Sequence, residues 1–346
     1  MHGAQHSLSI GLFAHNEEGN ICRTLESLAE QDIFFVTNLD VRLTILANGC
    51  SDNTVGVAEQ YLRNSNVISG HVMEIAKPGK SNAWNRFIHD GANAHVDSFV
   101  CMDSDITFGS ADVISQLLAE LRQSDEAYLS IDVAKKDTLL KSRRTIFESI
   151  SVFFSKLMNK GSTAVAGSLY CAQGDQLRQI TMPEGLPVED GFLRAMLVTE
   201  LFTQQDNNQR ILVVDQVCHY FTPDKSIGAL FRHEERLLIG TFINSVIYRY
   251  LWAEVAETGI DAGQLVARNN IENPLWVEQL INQYRECHSP LIPRHFYFKY
   301  WKRWQGFDFW LQLISLPVIA LASCVKYFLL KKVERRLANE SGLGTW

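Results

Sequence analysis

Cysteine occurs in this sequence only as scattered single residues. The seven, Cys22, Cys50, Cys101, Cys171, Cys218, Cys287 and Cys324, are odd in number and form no CxxC pair and no Cys/His cluster. That pattern excludes a zinc knuckle or a disulfide framework and points to reduced thiols in a cytosolic compartment. Basic residues are also short: 32 Lys and Arg against 39 Asp and Glu leave a formal net charge of −7. A duplex-binding face needs a cationic surplus, so nucleic acid is excluded as a partner. The opening stretch MHGAQHSLSIGLFAHNEEGN lacks a basic n-region and its apolar run is broken by acids, so no signal peptide is expected. Repeats and low-complexity segments are lacking too.

What the chain does have is apolar residues in short, regular runs. At 346 residues and 46% hydrophobic it can bury a large core. LSIGLFA, VRLTILA, HVMEIA and SFVCM read as strands, separated by the helical stretches EEGNICRTLESLAEQ, SDNTVGVAEQYLRN and SNAWNRFIHDGANA. Strands alternating with helices predict βαβ units and a largely parallel sheet covered on both faces. Such a sheet takes its ligand at the carboxyl ends of its strands. The polar clusters HNEE, NGCSD, KPGKSN and DSD follow the four strands in turn. After residue 110 the pattern loosens: SADVISQLLAELRQ is a helix, AYLSIDVA a strand and TLLKSRRTIFESISVFFSKLMNK a long amphipathic helix. GSTAVAGSLYCAQGDQL reads as strand and turn, VEDGFLRAMLVTEL as a short helix, RILVVDQVCHYF as a strand, and 226–255 as one long helix or two.

The stretch FVCMDSDITFG sets Asp103 and Asp105 one residue apart after a buried run. Residues i and i+2 of an extended segment project to one side, so each carboxylate raises the cost of ionising the other. A hard divalent cation, Mg²⁺ or Mn²⁺, relieves that repulsion. The alternative is that one Asp caps the next helix and the other is solvated. Lys80 lies in a Gly-turn loop at a helix N-terminus, a setting suited to a diphosphate or simply to solvent. Asn16, Glu17, Asn48 and Asp52 offer hydrogen-bonding groups at neighbouring strand ends, either for a base and ribose or as caps and turns. Glu189 and Asp190 form a second acidic pair at a helix start, where the dipole alone favours acids.

Taken in order, LFAHNEE, ANGCSDNT, KPGKSNAWN, DSDI and VEDGFL resemble the successive motifs of inverting family-2 glycosyltransferases with the GT-A fold, over roughly residues 7–240. The resemblance implies a Rossmann-like α/β fold and a nucleotide-sugar donor, UDP-linked in most members. It implies Ala14, Asn16, Glu17, Asn48 and Asp52 around the nucleoside, Lys80 near the nucleotide, Asp103 near the ribose, Asp105 on the metal and Asp190 as base. It also implies a 1–240 catalytic domain, with a nucleotide-binding half to 110 and an acceptor half beyond it. PDKSIGALFRHEERLLIG is similar to the Q/RxxRW element of processive and lipid-acceptor members. Glu189, Arg232, His233 and Arg236 are then candidates for diphosphate or acceptor contact. Leu237 stands where that element has Trp, and Ala47 and Asn48 stand where many members carry two acids, so a base other than uracil stays open.

From 241 to 346 a helical region is expected, with an apolar segment at 307–330 interrupted by Asp308, Gln312, Pro317 and Lys326. About 20 apolar residues span a bilayer, so a spanning helix, an interfacial one and a buried hairpin are all open. Basic residues on both flanks and the preceding Tyr and Trp suit an anionic cytoplasmic leaflet. The expectation is therefore a transferase at the cytoplasmic face of the membrane, adding single sugars to a lipid-linked acceptor or an envelope polysaccharide. A nucleotidyltransferase would leave Asp190 without a role. A non-catalytic nucleotide-sugar or lipid-binding relative would have no use for Asp103, Asp105 and Asp190 together.

Overall fold

The structure, a computed structural model, describes residues 6–91, 95–140, 167–222, 226–293, 296–306 and 309–344. Its centre is an eight-stranded sheet in the order β3-β2-β1-β4-β7-β6-β8-β5. The strands are β1 (His6–Ala14), β2 (Leu39–Asn48), β3 (Gly70–Ile75), β4 (Ser98–Asp103), β5 (Ile106–Phe108), β6 (Leu129–Lys136), β7 (Leu169–Gln173) and β8 (Ile211–Phe221). The first four are mutually parallel, as the βαβ spacing requires. Beyond β4 the sheet turns mixed: β7 runs antiparallel to β4 and β6, while β6 and β8 are parallel and β5 returns antiparallel on β8.

Alternation along the strands divides the core into two layers. Leu8, Ile10 and Leu12 of β1 face helices α1 (Ile21–Ala29), α2 (Thr54–Asn64) and α4 (Val113–Gln123), while Phe13 faces the opposite layer. Gly11 is needed on that second face, where a Cβ would stand 2.5 Å from the Phe87 ring. Phe87 and Phe99 meet edge to face there, with centroids 5.4 Å apart. The short helix α3 (Lys80–Asn85) continues into a π turn to Gly91, and α5 (Gly174–Arg178) forms where only a turn was expected. The helix expected over 138–160 begins as a 3-10 turn, Asp137–Leu140, and its remainder lies outside the described residues.

The stretch after 226 forms one helix, α7 (Ile227–Thr258), so position 240 falls within a continuous element. Ser226 caps it, accepting from the Ala229 N–H, and Gly259 closes it at φ 70°. α7 crosses beneath α6 (Glu189–Val198), and Gly240 permits the contact: a Cβ there would meet Val188 Cγ2 at 2.4 Å. Next come α8 (Ala262–Glu272), α9 (Trp276–Cys287), α10 (Lys299–Trp304) and α11 (Phe309–Asn339). The inner face of α11 contributes Leu330, Val333 and Leu337 to the same core as Ile239 and Ile243 of α7. Buried Glu235 on α7 accepts from Lys332 Nζ at 2.7 Å and Arg336 at 3.4 Å, pinning the two helices. The outer face leaves Trp310, Leu313, Leu321 and Phe328 exposed. Among the described residues no helix is long and apolar enough to cross a membrane.

Candidate active site

The carboxyl ends of β1, β2 and β4 open into a cavity of about 460 Å³. Its wall is completed by Gly167 and Ser168, by the loop Gly185–Val188, by the start of α6 and by one face of α7. The sequence-derived candidates Ala14, Glu17, Asn48, Lys80, Asp103, Asp105, Glu189, Asp190, His233 and Arg236 all line it. Asn16, Asp52 and Arg232 do not. Asn16 adopts φ 57° and its Oδ1 accepts from the Ser51 N–H at 2.7 Å, tying the loop after β1 to the loop after β2. Asp52 accepts from the N–H of Thr54 and of Glu18, each at 3.1 Å. Slight burial opposes its ionisation, but those bonds and the Thr54 hydroxyl hold its pKa below the usual value.

Lys80 is the centre of charge. Its Nζ donates to Asp103 Oδ1 at 2.6 Å, Glu189 Oε1 at 3.0 Å and the Gly167 carbonyl at 3.0 Å. Burial would depress the ammonium, yet the two carboxylates outweigh it and raise its pKa. A side chain at Gly167 would be tight: a Cβ would lie 3.1 Å from Asp190 Cβ and 3.3 Å from Glu189 Oε1. Asp190 sits at the start of α6, and one of its carboxylate oxygens accepts from the Gly191 N–H at 2.7 Å. Desolvation and adjacent Glu189 push its pKa up to about 6, against the opposing pull of Lys80. α7 holds this turn from below: Asn244 Nδ2 donates to the Val188 carbonyl at 2.9 Å and the Tyr248 hydroxyl to the Gly191 carbonyl at 2.7 Å.

Asp105 lies in the turn between β4 and β5 and makes no ion pair among the described residues. Burial, with Asp103 and Glu17 close by, pushes its pKa up to about 6. Glu17 is raised as well, by burial and then by Asp52 and Asp103, though Asn20 opposes this through a hydrogen bond. Among the described residues no group of three or more His, Cys, Asp or Glu is gathered around one point. The donor set nevertheless fits a divalent cation of the Mg²⁺ or Mn²⁺ type: Asp105, with Asp103 beside it, is a half-buried carboxylate short of positive charge. Ligand oxygens would complete the shell. A titration consequence follows. Asp105 and Asp190 ionise near 6 in the folded chain against 3.8 ordinarily. Between those values the folded state holds more protons than the unfolded one, so their contribution to stability falls as pH rises through the window. A cation on Asp105 takes the place of the proton. Mn²⁺ is therefore expected to raise the melting temperature more at about pH 7 than at about pH 5. Equal shifts at both would remove Asp105 from the cation site.

Asn48 is almost fully buried at the cavity wall, and its Oδ1 has no hydrogen-bond partner among the described residues. A buried acceptor left unmatched costs about 1–3 kcal/mol, so a ligand N–H or O–H is the natural complement. The cavity residues that escaped sequence reasoning are His15, Gly167, Ser168, the Leu186–Val188 loop and Gly344. The last arrives because the Gly344 N–H donates to the Gly185 carbonyl at 2.9 Å.

Residues 9–175 match the family model described as glycosyl transferase family 2. Among solved structures, mannosyltransferase PcManGT from Pyrobaculum calidifontis, in complex with GDP-Man and Mn²⁺, is 13% identical at a TM-score of 0.54. The match covers 96% of this chain and 86% of that one. Glucosyl-3-phosphoglycerate synthase from Mycobacterium tuberculosis, in complex with Mg²⁺ and UDP, is 17% identical at a TM-score of 0.49, with 70% of this chain and 80% of that one covered. No curated protein matches. The likeness to the mannosyltransferase bears on the fold alone: α/β with a mostly parallel sheet, consistent with GT-A.

Proposed function

We propose, from the premise that residues 9–175 make this chain a member of glycosyl transferase family 2, that it moves a sugar from a nucleotide-sugar to a hydroxyl acceptor with inversion. The observation that carries this is the convergence of Lys80, Asp103, Asp105 and Asp190 on one cavity at the strand ends. Asn48 Oδ1 would accept an imino or amino N–H of the base, which uracil and guanine both present, so a UDP-sugar is the first candidate and a GDP-sugar the second. Asp190 takes the proton of the acceptor hydroxyl as that oxygen attacks the anomeric carbon. The bond to the diphosphate breaks on the opposite face, and its electron pair leaves with the phosphate. Asp105 and Asp103 would hold a divalent cation, which when bound supplies charge neutralisation to the departing diphosphate. Titration calorimetry with UDP and GDP, with and without Mn²⁺, tests the reading. Metal-dependent binding of one of them is expected, and binding of neither would overturn it.

The acceptor we propose is lipid-linked, at the cytoplasmic face of a membrane. Trp310, Leu313, Leu321 and Phe328 recur at helical spacing along the outer face of α11, and Trp310 and Phe328 are 71% and 72% exposed. The basic flank contributes less than its composition suggests, since Lys332 and Arg336 turn inward to Glu235 and Lys331 pairs with Glu334. Attachment would rest mainly on the apolar stripe. The double substitution Leu321→Glu and Phe328→Glu is expected to abolish co-sedimentation with phosphatidylglycerol vesicles while leaving nucleotide binding unchanged. Undiminished sedimentation would exclude this face.

A further inference from the structure

Three adjacent strands bring together a hydrogen-bonded chain that the transfer chemistry above does not use. His219 of β8 is fully buried, and its Nδ1 lies 2.8 Å from Asp132 Oδ1 and 2.9 Å from Asp132 Oδ2. Its Nε2 lies 2.9 Å from the Oγ of Ser168, just before β7. Asp132 occupies the point where the β6–β8 register shifts, between Ile131 and Val133, and a bulge of this kind re-aims a side chain. Asp132 and His219 lie in the interior, whereas Ser168 lines the cavity. Buried polar side chains are a poor source of stability compared with well-packed apolar ones, and this Asp–His hydrogen bond leads to a hydroxyl on the cavity wall.

With the His219 ring neutral, each hydrogen bond takes one direction. An ionised Asp132 only accepts, so Nδ1 of His219 carries the proton; in the neutral ring Nε2 is then bare and accepts from the Ser168 hydroxyl. A serine has one proton to give. With that proton committed inward, Ser168 Oγ presents only lone pairs to the cavity. A sugar hydroxyl can donate to it, whereas a phosphate oxygen, itself an acceptor, cannot. We propose that Asp132 and His219 are positioning residues that make Ser168 an obligate acceptor for a hydroxyl of the donor's sugar, a proposal that rests on the nucleotide-sugar reading above. The same three residue types serve as a nucleophilic triad elsewhere, but Asp103, Glu189 and Asp190 share this cavity. Their charge would oppose the oxyanion that acyl transfer builds up.

The test compares UDP with UDP-glucose and GDP with GDP-mannose, by calorimetry in the presence of Mn²⁺. Ser168→Ala is expected to weaken the nucleotide-sugar by about threefold to tenfold, the worth of one net hydrogen bond, and to leave the bare diphosphate unchanged. Ser168→Thr, which keeps the hydroxyl, is expected to restore binding. The decisive variant is Asp132→Asn, which leaves Ser168 in place. An amide donating to Nδ1 moves the ring proton to Nε2, which then donates to Ser168 and turns the serine proton toward the cavity. Because a sugar hydroxyl can also accept from the reversed serine, Asp132→Asn should weaken the nucleotide-sugar by no more than Ser168→Ala does, with a shift of the His219 ring ¹⁵N resonances to the other tautomer. An unchanged His219 tautomer in Asp132→Asn would overturn the relay. So would labelling of Ser168 by an organophosphate, which would make it a nucleophile. Wild-type protein that binds a bare diphosphate but gains nothing from either sugar would overturn the hydroxyl assignment alone. Wild-type protein that binds no nucleotide at all would instead bring down the donor reading beneath it.

Discussion

Replacing Asp190 with Ala is expected to lower sugar transfer by about 10²–10⁴-fold, the usual contribution of a positioned general base, while nucleotide-sugar binding persists. The two roles would fall to different elements: Lys80, Asp103 and Asn48 come from strand ends and the start of α3, whereas Asp190 starts α6, which is held by α7 through Val188 and Gly191. Removing one carboxylate from a turn fixed by backbone bonds leaves that turn intact. Folding should not suffer either, because ionised Asp190 opposes stability above its folded pKa of about 6. The variant is expected to melt at or slightly above the wild-type temperature at neutral pH. In the wild type, kcat/KM should rise with pH through about 6 and then level, since only the carboxylate form accepts the acceptor's proton. Asp105 ionises in the same range. Saturating Mn²⁺ fixes its charge, so an inflection that persists belongs to Asp190. Transfer at the wild-type rate by Asp190→Ala would remove the base assignment outright.

The strand-end side of the cavity was legible because each of its motifs directly follows an apolar strand, and parallel strands deliver their carboxyl ends to one edge. The limit of that logic appears at single side chains. Asn16 and Asp52 sit in the right loops, but φ 57° at Asn16 turns its amide to Ser51, and Asp52 is taken up by Thr54 and Glu18. A motif locates a loop; the backbone dihedral decides which way its residues face. Ser168 and Gly167 carry no charge and enter from β7, whose antiparallel place beside β4 no local pattern announces. Asp132 and His219 lie 87 positions apart in mid-strand, where polar residues give no periodic signal. The C-terminal region misleads in a different way. Composition registers the apolar residues of α11 together, but its inner face belongs to the core shared with α7, and its outer face exposes Leu313, Leu321 and Phe328.

Replacing Lys80 with Met should be the most damaging single change to the site as a structure. The ammonium meets Asp103 at 2.6 Å, Glu189 at 3.0 Å and a backbone carbonyl at 3.0 Å, and Asp105 and Asp190 line the same cavity. A methionine keeps the volume of the stem and deletes the charge. Breaking a fully buried ion pair from one side costs about 3–5 kcal/mol, and because Asp103 is 30% exposed a discounted loss of about 2–3 kcal/mol is appropriate here. For a chain of 346 residues that corresponds to a fall in melting temperature of roughly 3–4 °C. Diphosphate affinity should drop by a larger factor, about 100-fold, because the incoming phosphates would then meet Asp103 and Glu189 without the ammonium that neutralises them. The loss is electrostatic rather than steric, so it has a specific remedy. Asp103→Asn in the Lys80→Met background should recover much of the melting temperature without recovering nucleotide binding. If the double variant melts as low as Lys80→Met alone, the lysine is supporting the fold through packing, and the charge balance drawn around Asp103 and Glu189 is wrong.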